Sequence, residues 1–250
     1  MILKKSVKIA AVLPCRIEST RLLAKPLQKL GDKTILELLI LQLKKSKLID
    51  DVVLAISKNT GSDLYVKFAK ENNIKFILGN EEDVVGRLLT GLKSVKANVL
   101  VRITSENPFI FWEGIDEIIT YHLKENNDLT FHGGLPLGSG LEIVNIKALK
   151  TIHEKGSKKH RGELSTLYIY ERPKKFKISR LEPEKSLCKP NIRLTVDTPQ
   201  DLWVARIISE KFGNKGKPIP LKNIIKFLDS NPKIKAINSD VSIKYKRYMI

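Results

Sequence analysis

Apolar, β-branched runs of strand length recur along the chain at 8–13, 51–56, 74–78, 97–104, 129–132, 141–145, 176–181 and 191–196. Between most of them the apolar positions switch to a helical period, at 35–45, 63–71, 82–93, 112–125, 163–170 and 199–212. Strands that alternate with helices in this way predict a mainly parallel sheet sandwiched by helices, an α/β/α architecture. Thr34 followed by Glu37, and Thr198 followed by Pro199 and Asp201, carry helix-start chemistry. No internal repeat and no low-complexity tract interrupts the alternation. Gly213 to Pro220 reads as a linker, so the expected division is a catalytic-type sheet domain over 1–212 and a basic, helical appendage over 213–250.

Composition narrows the class. A chain of 250 residues with 42% hydrophobic and 29% charged residues can bury a sizeable core, which excludes a disordered chain. The apolar stretch 35–43 is interrupted by Glu37 and Gln42 and is far shorter than a membrane span. Lys8 breaks the apolar run behind Lys4 and Lys5, and no small-residue cleavage site follows, so a cytoplasmic location is expected. Cys15 and Cys188, the two cysteines, are too few for a secreted disulfide framework and are expected to be reduced.

The formal charge of +18 raises the question of nucleic acid. Its distribution answers against a specific site. From Lys211 onward ten Lys or Arg stand against Asp229 and Asp240, without the interleaved aromatics of a single-strand binder or the spacing of a helix-turn-helix or zinc finger. A solvated basic surface that attracts anionic substrates is the simpler reading.

The segment "AAVLPCRIESTRLLAKPL" at 10–27 carries the first chemical signal. It runs a buried-type strand into a loop with Arg16, Ser19, Thr20, Arg21 and Lys25, and cations crowded at the end of such a strand call for an anion. In a parallel α/β sheet ligands bind beyond the carboxyl ends of the strands. The loop contains no glycine, and neither a Walker loop nor a dinucleotide fingerprint occurs elsewhere. Phosphate would therefore be held by side chains: guanidinium forks from Arg16 and Arg21, a point charge from Lys25, and hydroxyl or backbone donors around Ser19 and Thr20. An ordinary solvated loop is the alternative.

This stretch resembles the R-x-x-S-x-R-L-P-G-K-x-L nucleotide-binding loop of the cytidylyltransferase family, which includes CMP-sugar-acid synthetases of the 3-deoxy-manno-octulosonate and acylneuraminate types and the spore-coat SpsF proteins. Further similarities follow in the family's order: "GNEEDVVGR" at 79–87, "VRITSENPFI" at 101–110, "ELSTLYIYERPKKFKI" at 163–178 and "NIRLTVDTPQDL" at 191–202. The resemblance spans about 8–212 and is nearest to the SpsF-like branch. It implies a Rossmann-like fold of the nucleotide-diphospho-sugar transferase type, a homodimer, and Mg²⁺-dependent attack of an acceptor oxygen on the α-phosphorus of CTP with release of pyrophosphate. Glycan or glycoconjugate biosynthesis is the implied setting.

By the same resemblance, Arg16, Arg21 and Lys25 are the catalytic cations, with Lys25 nearest the α-phosphate. Leu13 and Pro14 offer backbone contacts to the base, and Ser19, Thr20, Arg87 and Thr104 line the nucleotide site. A surface salt bridge to Asp83 is the other reading of Arg87. The implied Mg²⁺ ligands are Glu106 and Asp197, and a helix cap is the alternative for Asp197. Oxygen ligands suit Mg²⁺, which keeps several waters and needs one or two protein carboxylates beside phosphates. The acceptor side is assigned to Glu142, His160, Arg161 and Tyr168, with an acidic or amino sugar as the expected partner.

The chain departs from the family at four places. Ser105-Glu106 stands where Gly-Asp is common, Leu23-Ala24 replaces Pro-Gly, Gly140 replaces an Asp, and Leu164 replaces a His. Two further readings follow: a nucleotidyltransferase that uses another nucleotide or a phosphate or phosphonate acceptor, and a non-catalytic binder of nucleotides or polyanions. A nucleotide-sugar glycosyltransferase ranks lower, because the chain has no D-x-D motif.

Overall fold

The computed structural model describes residues 7–17, 21–213 and 217–242. In chain order the elements are β1 (Ile9–Cys15), β2 (Lys29–Leu30), β3 (Lys33–Thr34), α1 (Ile35–Leu43), β4 (Asp51–Ser57), α2 (Ser62–Glu71), β5 (Lys75–Gly79), α3 (Val84–Ser94) and β6 (Val99–Arg102). They continue with α4 (Ile115–Glu125), β7 (Leu129–His132), β8 (Glu142–Asn145), α5 (Ile146–Lys155), α6 (Lys158–Arg161), α7 (Leu167–Tyr170), β9 (Ile178–Leu181), α8 (Pro199–Phe212), α9 (Leu221–Ser230) and α10 (Pro232–Ala236).

Seven strands form one sheet in the order β5-β4-β1-β6-β8-β7-β9, and β2 and β3 pair separately. β8 runs antiparallel to both its neighbours and the other six strands run parallel to one another. The buried pleat of β1 explains the layers. Ile9, Ala11, Leu13 and Cys15 face one core with α1, α2 and α4, whereas Ala10 and Val12 face a second core with α3 and α5. Because successive side chains of a strand point to opposite faces, a run that is apolar at every position must be covered twice. The result is the expected three-layer sandwich.

Two helix starts carry the chemistry read from sequence. Thr34 Oγ1 accepts from the Glu37 amide at 3.2 Å while the Thr34 amide donates to Glu37 Oε2 at 2.6 Å. Thr198 and Asp201 form the same reciprocal arrangement at the head of α8, where Pro199 occupies the first turn.

The segment 191–196 is a correction. Its alternation of Ile192, Leu194 and Val196 is that of a strand, yet it lies outside the sheet. It is extended and bound mainly around Leu137: the Leu137 amide donates to the Ile192 carbonyl at 2.8 Å and the Leu194 amide to the Leu137 carbonyl at 2.7 Å. The alternating side chains enter a third core with Leu30, Phe109, Leu202 and Ile208, so burial on one side produced the strand-like pattern without sheet pairing. Two helical expectations also shift. The run expected at 163–170 is helical only at α7, and α5 is a helix beyond those expected, capped by Asn145 and buried along a stripe of Ala148, Leu149 and Ile152.

The basic segment after residue 212 contributes Leu221, Ile224, Ile225 and Leu228 to the third core. It is also tied to the sheet body by polar contacts: the Leu221 amide donates to Glu113 Oε1 at 3.0 Å, and Trp112 Nε1 donates to the Ile219 carbonyl at 3.2 Å. Among the described residues no helix is long and apolar enough to cross a membrane.

Candidate active site

After β1 the chain moves outward through β4 and β5, then crosses back to place β6 on the other side of β1. Connections leave in opposite directions at this point, which opens a crevice at the carboxyl ends of β1 and β6. The parallel register sets Val12 beside Arg102, so residues 14–16 and 104–106 emerge together. The buried Ser105 hydroxyl ties the two loops by donating to the Pro14 carbonyl at 2.8 Å. Ser105 is thus structural, at a position where the family commonly has glycine.

The loop after β1 folds back on itself. The Ala24 amide donates to the Ile17 carbonyl at 3.3 Å, and Ala24 adopts a left-handed conformation with φ 46°. A residue with a Cβ is strained there, and the family's glycine is the unstrained choice. The turn over 25–27 then directs Lys25 inward, where its Nζ donates to Asp197 Oδ1 at 2.8 Å. Ser19 and Thr20, expected nucleotide contacts, lie outside the described residues.

Asp197 is the electrostatic centre of the cluster. Arg193 Nη2 donates to its Oδ2 at 3.0 Å and Arg21 Nη2 lies 3.6 Å from its Oδ1, so three cations surround one half-buried carboxylate. The adjacent extended segment delivers Glu106 as well, since the Val196 amide donates to the Glu106 carbonyl at 3.2 Å. Burial pushes the Glu106 carboxyl above its ordinary value, the nearby charge of Asp197 pushes it further, and Lys25 opposes both. Two carboxylates brought this close offer a hard, oxygen-donor pair, and this donor set fits Mg²⁺ bound jointly with phosphate.

Arg87 lies on α3, buried, with Nε and Nη1 lacking a hydrogen-bond partner among the described residues. Burial lowers its basicity, the charge of Arg16 lowers it further, and Glu81 opposes both. Gly79 makes room for it, because a Cβ there would stand 2.7 Å from Arg87 Cγ. Asp83, the alternative partner, is occupied: it caps α3 through the Gly86 amide at 2.9 Å and pairs with His153 Nε2 at 2.8 Å. An orphaned guanidinium beside Arg16 is a costly arrangement without an anion to complete it. Arg16 itself pairs with Glu163, and its carbonyl accepts from the Tyr65 hydroxyl at 3.1 Å. Thr104 is half-buried and accepts from Asn107 Nδ2 at 2.8 Å, and Leu13 is fully buried in β1.

The expected acceptor residues divide. Glu142 opens β8 opposite Arg102 and is buried, receiving Arg102 Nη1 at 3.0 Å, the Tyr170 hydroxyl at 2.8 Å and the Thr166 hydroxyl at 3.1 Å. His160 is buried with Nδ1 against the Ser157 amide and hydroxyl and Nε2 against Glu171 Oε2 at 2.8 Å. Tyr168 is in the second core, edge-on to His160 and Phe176 and beneath the Arg172 guanidinium. Arg161 is half-buried at the end of α6. The structure therefore gathers Arg16, Arg21, Lys25, Arg87, Glu106 and Asp197 at the crevice, and holds His160 and Tyr168 through partners of their own.

Sequence reasoning missed Arg102 and Arg193, and it read Asp201 as helix-start chemistry alone. Arg193 and Asp201 flank Asp197 at a spacing of four in "RLTVDTPQD", a usable signal. Burial raises the Asp201 carboxyl, but hydrogen bonds and charge from Arg193, with Asn238 and the Asp197 amide, outweigh it and hold the group below the usual carboxylate range.

The profile of the family described as cytidylyltransferase matches residues 10–236. An uncharacterized protein of Methanocaldococcus jannaschii is 37% identical over 95% of this chain and 97% of its own length. The spore coat polysaccharide biosynthesis protein SpsF of Bacillus subtilis is 29% identical over 90% of this chain and 95% of its own. In fold, the chain is similar to a cytidylyltransferase from Leptospira borgpetersenii, with a TM-score of 0.85 at 24% identity over 96% of this chain and all of that one. With a family match over nearly its whole length, the chain is a nucleotidyltransferase and belongs to the cytidylyltransferase family.

Proposed function

We propose that this chain transfers CMP from CTP to an oxygen of an acidic sugar or related small acceptor, releasing pyrophosphate in a Mg²⁺-dependent reaction of surface glycan biosynthesis in the cytoplasm, as a homodimer. The observation that carries the proposal is the Lys25–Asp197 pair at 2.8 Å, beside Glu106 and the orphaned Arg87, at the crossing point of the sheet. Phosphate oxygens gain charge as the α-phosphorus is attacked and the pyrophosphate departs, so fixed cations at that point lower the barrier. Lys25, on a closed turn, is aimed at the transferred phosphoryl group, and Arg16, Arg21 and Arg87 bind the leaving pyrophosphate. Arg16 exchanges Glu163 for phosphate when nucleotide binds. Leu13 and Pro14 present backbone groups to the base. Glu106 and Asp197 are the residues that would hold Mg²⁺, which supplies charge neutralisation at the phosphates when bound.

Arg102 and Glu142 are register partners where β6 ends and β8 begins, and they define the acceptor side. Both are already hydrogen-bonded, so they shape that side rather than offering free charges. The test is pyrophosphate release from CTP, UTP, GTP and ATP against a panel of acidic-sugar, amino-sugar and phosphonate acceptors. Release with CTP and a sugar acid is expected. Binding of CTP without release from any acceptor would instead support a non-catalytic binder.

A further inference from the structure

The C-terminal segment reaches the site through one side chain. Asn238, two residues beyond α10 and buried, donates Nδ2 both to Asp201 Oδ1 at 2.9 Å and to the Arg193 carbonyl at 3.2 Å. Asp201 Oδ1 also takes Arg193 Nε at 2.7 Å. Its Oδ2 takes Arg193 Nη2 at 3.1 Å and the amides of Asp197 and Thr198, each at 3.0 Å. Arg193 Nη2 in turn donates to Asp197 Oδ2. Asn238 therefore grips both members of the clamp that orients Asp197, one by its carboxylate and the other by its backbone.

We propose that Asn238 is a positioning residue for Asp197, so that the segment beyond α9 completes the active site of the sheet domain rather than serving only as a basic appendage. The proposal rests on the assignment of Asp197 to the reacting site given above. A buried carboxylate carrying this many donors is rigid only while each donor stays in place. Removing the Asn238 amide frees one lone pair of Asp201 and releases the Arg193 carbonyl. The guanidinium that holds Asp197 Oδ2 can then rotate, and Lys25 follows Asp197.

Asn238→Ala and Asn238→Asp in the full chain separate positioning from packing. Asn238→Ala removes the amide and Asn238→Asp sets a second carboxylate against Asp201, so both loosen the clamp, and Leu228→Ala supplies the packing control. The expected result is a rise on the order of 10-fold in the Mg²⁺ concentration for half-maximal pyrophosphate release, with kcat reduced and the CTP KM little changed, in the order Asp worse than Ala. Leu228→Ala, which loosens the third core without touching the clamp, should lower the melting temperature and leave the Mg²⁺ midpoint in place. Without any ligand, hydrogen exchange at the amides of Asp197 and Thr198 should accelerate in both Asn238 variants and not in Leu228→Ala. Unchanged exchange at those amides overturns the proposal, as does a Mg²⁺ midpoint that shifts equally in Leu228→Ala. If the wild-type chain releases no pyrophosphate from CTP, the functional reading falls, and amide exchange still decides whether Asn238 positions Asp197.

Discussion

Lys25→Ala separates a catalytic cation from a structural one. The pair it breaks is partly buried, with side-chain exposures of 12% for Lys25 and 22% for Asp197, and it is a charge-assisted bond of 2.8 Å. Asp197 keeps Arg193 at 3.0 Å and Arg21 at 3.6 Å, so no carboxylate is left unpaired. The loss of stability should then be modest, about 1–2 kcal/mol, or roughly 2–8 °C in melting temperature for a chain of this size. The effect on turnover should be larger. An electrostatic stabiliser that strengthens as charge develops contributes on the order of 10² in kcat, about 2.7 kcal/mol at the transition state. The assay is steady-state pyrophosphate release at saturating CTP, with thermal unfolding measured on the same preparation. A folded Lys25→Ala enzyme with near-normal kcat would remove Lys25 from the mechanism.

Neutralising either carboxylate, by Glu106→Gln or Asp197→Asn, should raise the Mg²⁺ midpoint and lower the maximal rate, while Glu106→Asp should be much milder; equal midpoints in Mg²⁺ titrations of both neutral variants would refute the shared-metal assignment. Arg102→Met leaves Glu142 buried without its cation and should cost about 3–5 kcal/mol in urea unfolding, a loss that an exposed pair would not show. Burial holds both His122 and His132 down to about 4. The unfolded chain therefore takes up these protons first as pH falls through the ordinary histidine range, so stability decreases between pH 7 and pH 5, by about 2 kcal/mol per histidine. Denaturant midpoints across that range should show it, and His122→Gln should remove about half; an unaltered slope would mean that the imidazole of His122 is not buried neutral.

The sheet was legible because its central strands are buried on both faces, so that their apolar runs stand apart from any helical period. The exception, 191–196, shows the limit of that signal. Period-two burial reports only that one side of an extended chain is covered, and Ile192, Leu194 and Val196 meet that condition against helices α8 and α9 rather than against a neighbouring strand. The cations were legible because like charges crowded at a strand end repel one another until an anion joins them. What the sequence hid was partnership. Glu142, His160 and Arg87 are all polar residues expected at the site, and only their surroundings distinguish a carboxylate already satisfied by Arg102, Thr166 and Tyr170 from a guanidinium that two buried nitrogens leave incomplete among the described residues. Asn238 carried no motif at all.

The departures at Ala24 and Ser105-Glu106 acquire a physical meaning from the crevice. Glycine at position 24 would relieve the φ of 46°, but the turn survives with alanine because Pro26 and the Ala24–Ile17 hydrogen bond over-determine it. Serine at 105 adds a bond to the Pro14 carbonyl that glycine lacks, binding the loop that carries Glu106 to the loop that begins with Arg16. A longer carboxylate at 106 then emerges from a loop held more firmly in place. Burial and the charge of Asp197 raise the Glu106 carboxyl while Lys25 opposes them, and Lys25, Arg21 and Arg193 crowd on Asp197: both follow from the acids and bases that the fold brings together where the chain reverses its winding.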